Sequence, residues 1–221
     1  MKIVLLFLLA FFIGCSDDPE IFYNDDAYEN NLQENLEHRE VYGKLVFPNS
    51  FVPKSVKAFE LDSSFNETEE LDVFFYSKEG TYKIKSRDYA SRYLRIETAG
   101  LWKNYSSAGA EMKFELITNI AVVSDTIVLN PFSHLEIPRV MHLMDEGYPF
   151  LAAKHKAMYE LFSLCQNSED LKGRLSEEFV PENEDIEYFP QSLLVYGNSD
   201  SAFVENVEKF RNSFATGKKP D

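Results

Sequence analysis

The sequence predicts an α+β chain in which an antiparallel β-sandwich is followed by a small C-terminal helical unit. Three observations carry that expectation. Apolar residues recur at every second position between residues 41 and 129, where β-branched and aromatic side chains are dense, as in half-buried strands. After residue 130 the spacing changes to three and four, the period of helices. The 221 residues are 44% hydrophobic and 14% aromatic, enough apolar material for a real core, so a wholly disordered chain is excluded.

Residues 1–14 read as an export signal, with Lys2 ahead of an unbroken apolar run from Ile3 to Ile13. As a helix that run spans about 16 Å, roughly half the hydrocarbon core, so a permanent span does not fit. Phe12-Ile13-Gly14-Cys15 resembles the lipobox of bacterial lipoproteins, with Phe12 where Leu is usual. The resemblance implies that Cys15 is acylated and becomes the new N-terminus, and two or more acyl chains give stable anchoring at about 0.8 kcal/mol per buried methylene. The alternative is an ordinary secretory signal that contains a Cys. Ser16-Asp17-Asp18-Pro19-Glu20 resembles the acidic sequence that routes some Gram-negative lipoproteins to the outer leaflet, which implies an outer-membrane, lipid-anchored protein displayed at the cell surface. Residues 15–40 continue with Asn24-Asp25-Asp26 and Glu29-Asn30-Asn31 and read as a lipidated acidic tether. Lipidation of Cys15 leaves Cys165 without a second cysteine, so no disulfide scaffold is expected, and Cys165 is placed on a buried helix face.

Six or seven strands are expected over residues 41–129. Val41 to Phe47 is the first, closed by Pro48-Asn49-Ser50, and Val56 to Leu61 the second, with Val56, Ala58 and Glu60 on one side. Val73 to Tyr76 and Thr81 to Lys85 flank Ser77-Lys78-Glu79-Gly80, a hairpin turn whose Gly supplies a positive φ. Tyr82 and Ile84 should face inward, Lys83 and Lys85 outward. Tyr93 to Glu97, Met112 to Val123 and Asp125 to Leu129 complete the set. Strands without intervening helices favour an antiparallel arrangement.

Gly43-Lys44-Leu45-Val46, Ser55 to Leu61, Glu79-Gly80-Thr81-Tyr82-Lys83-Ile84 and Tyr93-Leu94-Arg95-Ile96-Glu97 resemble the carboxypeptidase regulatory-like, or transthyretin-like, β-sandwich. Ser86-Arg87-Asp88-Tyr89 stands where that family usually has a second turn glycine. The resemblance implies a noncatalytic module of the kind found on peptidases, adhesins, envelope receptors and surface lipoproteins.

The helical region covers residues 130–216. Phe132, Leu135, Val140, Leu143 and Met144 form one apolar stripe, and Phe150, Ala153, Ala157, Leu161 and Cys165 another. Ser133 and Glu136 fit a capping box, which places the helix start at Ser133 with a kink at Pro138, or else at Pro138 itself. Gly147 ends this helix and Pro149 opens the next. Residues 166 to 187 read as a polar connection; Tyr188 to Val195 and Ala202 to Phe214 read as further helices that pack with the first pair into a four-helix unit.

Chemistry is sparse in this sequence. A net charge of -15 without a Lys/Arg cluster argues against a nucleic-acid partner. HExxH, GxSxG, GxxxxGK[ST] and GxGxxG are absent, and His134 and Glu136, two apart, point to different helix faces. His134, His142 and His155 are therefore expected at the surface or near caps. Asp25-Asp26 and Glu182 to Asp185 lack the order of an EF-hand. No catalytic residue, metal or cofactor is assigned. The best recognition segment is Trp102-Lys103-Asn104-Tyr105, in which Trp102 and Tyr105 could stack on a sugar while Lys103 and Asn104 hydrogen-bond it; the alternative places Trp102 as a plug in the sandwich core. The expectation is a noncatalytic, lipid-anchored envelope protein that binds another envelope protein or an extracellular polysaccharide. A glycan-binding module using Trp102 and Tyr105 is the first alternative, an uncharacterised hydrolase the second.

Overall fold

The computed structural model describes residues 36–122, 126–165, 168–173 and 197–217, together with Pro181 and Ile186. The export signal, Cys15, most of the tether, the acidic run at 182–185 and the helix expected over Tyr188 to Val195 lie outside the described residues.

Among the described residues, eight strands form two four-stranded sheets. The first has the order β4 (Val73–Tyr76), β5 (Thr81–Arg87), β1 (Arg39–Leu45), β8 (Ile127–Leu129); the second has β3 (Glu67–Leu71), β2 (Phe51–Leu61), β6 (Tyr93–Trp102), β7 (Ala110–Asn119). Alternation decides which side chains face inward. Val41, Tyr82 and Ile84 of the first sheet and Ala58, Leu94, Ile96 and Phe114 of the second share one continuous core. The β4–β5 hairpin turns at Gly80 with φ +63°, as its sequence required. Tyr82 lies inward across Gly43, where a Cβ would sit 1.9 Å from the ring, so the first strand needs a glycine at that place.

Several strand features depart from expectation, among them the lengths of β2, which begins five residues before Val56, and β6, which runs five residues past Glu97. β1 and β8 run parallel, with Gly43 opposite Ile127 and Leu45 opposite Leu129, so the arrangement is mixed rather than wholly antiparallel. The chain crosses from the second sheet to the first between β7 and β8, which sets the direction in which β8 reaches β1. β3 was not anticipated, because Glu67-Thr68-Glu69-Glu70 has no apolar alternation. It is an edge strand whose carboxylates meet cations from β2, β6 and the other sheet's β5: Lys57 to Glu70 at 2.9 Å, Arg95 to Glu67 at 2.5 Å and Arg87 to Glu69 at 2.8 Å. The run expected to continue to Val123 stops at Asn119, whose side-chain oxygen accepts the Ala121 amide and turns the chain.

Four helices follow among the described residues: α1 (Pro131–Asp145), α2 (Phe150–Ser163), α3 (Ser168–Gly173) and α4 (Asp200–Phe214). The start of α1 corrects the expected capping box. Asn130 is the N-cap, its side chain accepting from the amides of Phe132 and Ser133, while the Ser133 hydroxyl accepts from the Asn130 amide. Pro131 takes the first helical position, where a missing N–H costs nothing, and Pro138 lies inside the helix. Glu136 is thus left for another task. Gly147, φ +98°, ends α1, and the Tyr148 amide closes back on the Leu143 carbonyl.

α1 is buried on several sides. Phe132 and Leu135 enter the core shared by the sheets, together with Leu161 and Phe162 of α2 and Phe203, Val207 and Phe214 of α4. Ile137, Val140 and Leu143 join Phe150, Ala153 and Ala157 in a second cluster against Leu61 and Ile117, on the outward side of the second sheet. Helices α1 and α4 both pack along β7. One sheet is therefore covered outside as well as inside. Cys165 is a buried thiol, as its apolar context implied, but it lies two residues past Ser163, where α2 ends, and not on the helix face expected for it.

Candidate functional site

The segment expected to recognise a ligand instead joins the helices to the sheets. Trp102 ends β6 and is 1% exposed, its indole stacked on Phe203 of α4 with ring centroids 4.2 Å apart and planes 17° from parallel. Asp200, in the first turn of α4, accepts from the amides of Asn104 (2.8 Å), Tyr105 (2.9 Å) and Ser106 (2.9 Å) and from the Ser106 hydroxyl (2.7 Å). Burial raises the Asp200 carboxyl, and the hydrogen bonds outweigh it and hold the group below its usual range. The residue thus serves a helix N-terminus and three loop amides together. Trp102 cannot offer a face to a sugar, because that face is already taken. This corrects the glycan site built on Trp102 and Tyr105: Tyr105 is exposed, but its partner in that reading is interior. Lys103 and Asn104 are exposed on the clamped loop.

The titratable groups of the helices come together, and packing accounts for them. His134, expected near the surface, is 2% exposed between α1, β7 and α4. Its Nδ1 accepts the Glu115 amide at 3.3 Å, and its Nε2 faces Glu208 at 3.3 Å. Arg211 donates to the Glu115 carboxylate and, at 3.2 Å, to the His134 carbonyl, so both ring nitrogens and the neighbouring charges are occupied. Between α1 and α2, Lys154 donates to the buried Glu136, and Arg139 makes a two-pronged pair with Glu160 at 2.6 and 3.0 Å. Among the described residues, no three His, Cys, Asp or Glu are placed to hold a metal ion.

Burial holds the His134 imidazole below its ordinary value of 6.5; the Arg211 charge adds to this, and Glu208 opposes it. The unfolded chain therefore takes up this proton at a higher pH than the folded one. Stability is full above about pH 6.5 and is lost as pH falls below it, toward the folded value. Thermal melts between about pH 7 and pH 5.5 should show a steeper fall for the wild type than for His134→Gln, which keeps an acceptor for the Glu115 amide and has no charge to gain. Equal slopes would remove His134 from that role.

The remaining cluster lies on the outward face of the first sheet, on which no element among the described residues packs. Outward positions alternate along each strand, and the registers align Phe74, Lys83 and Tyr42 in one row and Tyr76, Thr81 and Lys44 in the next. Tyr42, Phe74 and Tyr76 are 47%, 53% and 50% exposed, three of the five most exposed large apolar side chains among the described residues. Their setting is ordered. The Tyr42 hydroxyl donates to Glu40 at 2.5 Å, Lys83 pairs with the same carboxylate at 2.7 Å, and the Lys83 ammonium lies 5.4 Å from the Tyr42 ring centre. The lysine beside it and the tyrosine hydroxyl hold the Glu40 carboxyl below its usual range. Sequence reasoning missed this face because Val73-Phe74-Phe75-Tyr76 is apolar throughout, so alternation does not say which ring is outside. The signal that could have found it is an aromatic residue, Tyr42, between the polar outward positions Glu40 and Lys44.

No family model, no curated protein and no solved structure matches this chain.

Proposed function

We propose that this chain is a noncatalytic, lipid-anchored protein of the bacterial outer membrane that acts at the cell surface as an interaction module, held by an acylated Cys15 on an acidic tether. The observation that carries the binding role is the face of the first sheet that no described element covers, where Tyr42, Phe74 and Tyr76 stand exposed together while Trp102, His134 and Glu136 are consumed in packing. Exposed rings on a fixed scaffold suit recognition. We further read the two sheets as a carboxypeptidase regulatory-like, transthyretin-like module. The inward Tyr82 after the Gly80 turn and the paired Ser55–Leu61 and Tyr93–Glu97 segments support that reading.

Metabolic labelling with a palmitate analogue, followed by envelope fractionation and cross-linking on intact cells, tests the proposal. The wild-type chain should carry label, sediment with outer membranes and cross-link to a surface component. Cys15→Ala should lose the label and leave the membrane fraction. An unmodified Cys15 thiol in membrane-bound protein, or a wild-type chain without label, would overturn it.

A further inference from the structure

We propose that the outward face of the β4–β5–β1–β8 sheet is a binding platform for a neutral polysaccharide, with Tyr42, Phe74 and Tyr76 taking the apolar faces of its pyranose rings. This rests on the binding role proposed above and names its ligand class.

Geometry is the first support. Phe74 and Tyr42 occupy strands on either side of β5, so their attachment points lie two strand spacings, about 9–10 Å, apart; Phe74 and Tyr76 are two residues apart on one strand, about 7 Å. Three rings on one sheet surface make an open support for an extended chain of sugars rather than a pit for a single small molecule. Composition is the second support. Each ring is bordered by groups that donate or accept hydrogen bonds: Glu40 and Lys83 beside Tyr42, Lys83 opposite Phe74, and Thr81 and Lys44 in the row of Tyr76. A sugar has the matching division, with C–H groups on its faces and hydroxyls around its rim.

Charge decides between occupants. Lys83 is neutralised by Glu40, and Lys85 lies 3.6 Å from Asp72, so two of the three lysines on this face have acidic partners. The whole chain carries -15, which repels polyanions and anionic lipid head groups. A protein partner usually buries a contiguous apolar centre, whereas here Lys83 separates the rings of Phe74 and Tyr42. A neutral glycan needs neither a net field nor a continuous apolar patch.

Affinity electrophoresis of the full chain in gels containing mixed-linkage β-glucan or hydroxyethyl-cellulose, with polygalacturonate gels as the anionic arm, tests the inference. Retardation by at least one neutral glucan is expected. It should weaken by about tenfold for each single change Tyr42→Ala, Phe74→Ala or Tyr76→Ala and vanish in the triple variant, whose melting curve should remain cooperative. Tyr105→Ala, on the clamped loop away from this face, should leave retardation unchanged. Absence of retardation by both neutral glucans, retention that survives the triple change, or retention by polygalacturonate alone would overturn the assignment. Capture of a protein at the cell surface through the same three rings, without glucan retardation, would also overturn it while leaving the binding role intact. Failure of Cys15 acylation would leave the glucan result standing and remove the surface location instead.

Discussion

The Trp102→Ala variant is expected to lose about 3–5 kcal/mol of folding stability, the usual cost of removing a large buried aromatic side chain. The indole is 1% exposed and lies against Phe203, so truncation opens a cavity where α4 meets the end of β6. The loss should exceed that of Tyr105→Ala, three residues along, because Tyr105 is half exposed and holds its place through its backbone amide. Urea titration followed by tryptophan-independent circular dichroism measures both. A double-mutant cycle with Phe203→Ala should give a coupling of about 0.5–1.5 kcal/mol, the range for stacked aromatic pairs. A Trp102→Ala protein within about 1 kcal/mol of wild type would mean that the helix is not held at this point.

Lys154→Met is expected to cost about 3–5 kcal/mol, since it leaves the Glu136 carboxylate buried in the α1–α2 interface without its cation. Burial already pushes the Glu136 carboxyl up, while Lys154 pulls it down. The other Glu136 oxygen has no hydrogen-bond partner among the described residues, so no second donor replaces the lost ammonium. Removing both charges is a different matter. The double variant Glu136→Leu/Lys154→Met should recover most of the loss, because an apolar pair of similar volume avoids desolvating either ion. If the double variant is as unstable as Lys154→Met, the pair contributes more than mutual neutralisation.

How much was legible depends on how local the cause was. The β4–β5 hairpin was, because Gly80 and the alternation of Tyr82 and Ile84 against Lys83 and Lys85 act within a few residues. The end of α1 at Gly147 was legible for the same reason. Its start was misread: Ser133 and Glu136 carry the spacing of a capping box, but Asn130 before Pro131 makes a cap three residues earlier and frees Glu136 to meet Lys154. β3 was invisible, since a strand of glutamates becomes favourable only beside Lys57, Arg87 and Arg95. The candidate face was half legible: its strands could be marked, but not the exposure of their rings.

The alternating and helical stretches, the turn glycines, the inward set of the hairpin and the acidic character of the chain can all be read from the order of residues, because each follows from residues near one another. What covers what comes from packing between distant segments. Trp102, His134 and Glu136 became interior because α4 and α2 carry Phe203, Glu208 and Lys154 to them from 101, 74 and 18 positions away, whereas no described element reaches Tyr42, Phe74 and Tyr76. A side chain's pattern records which way it points; whether it meets water there depends on partners that sequence spacing does not reveal.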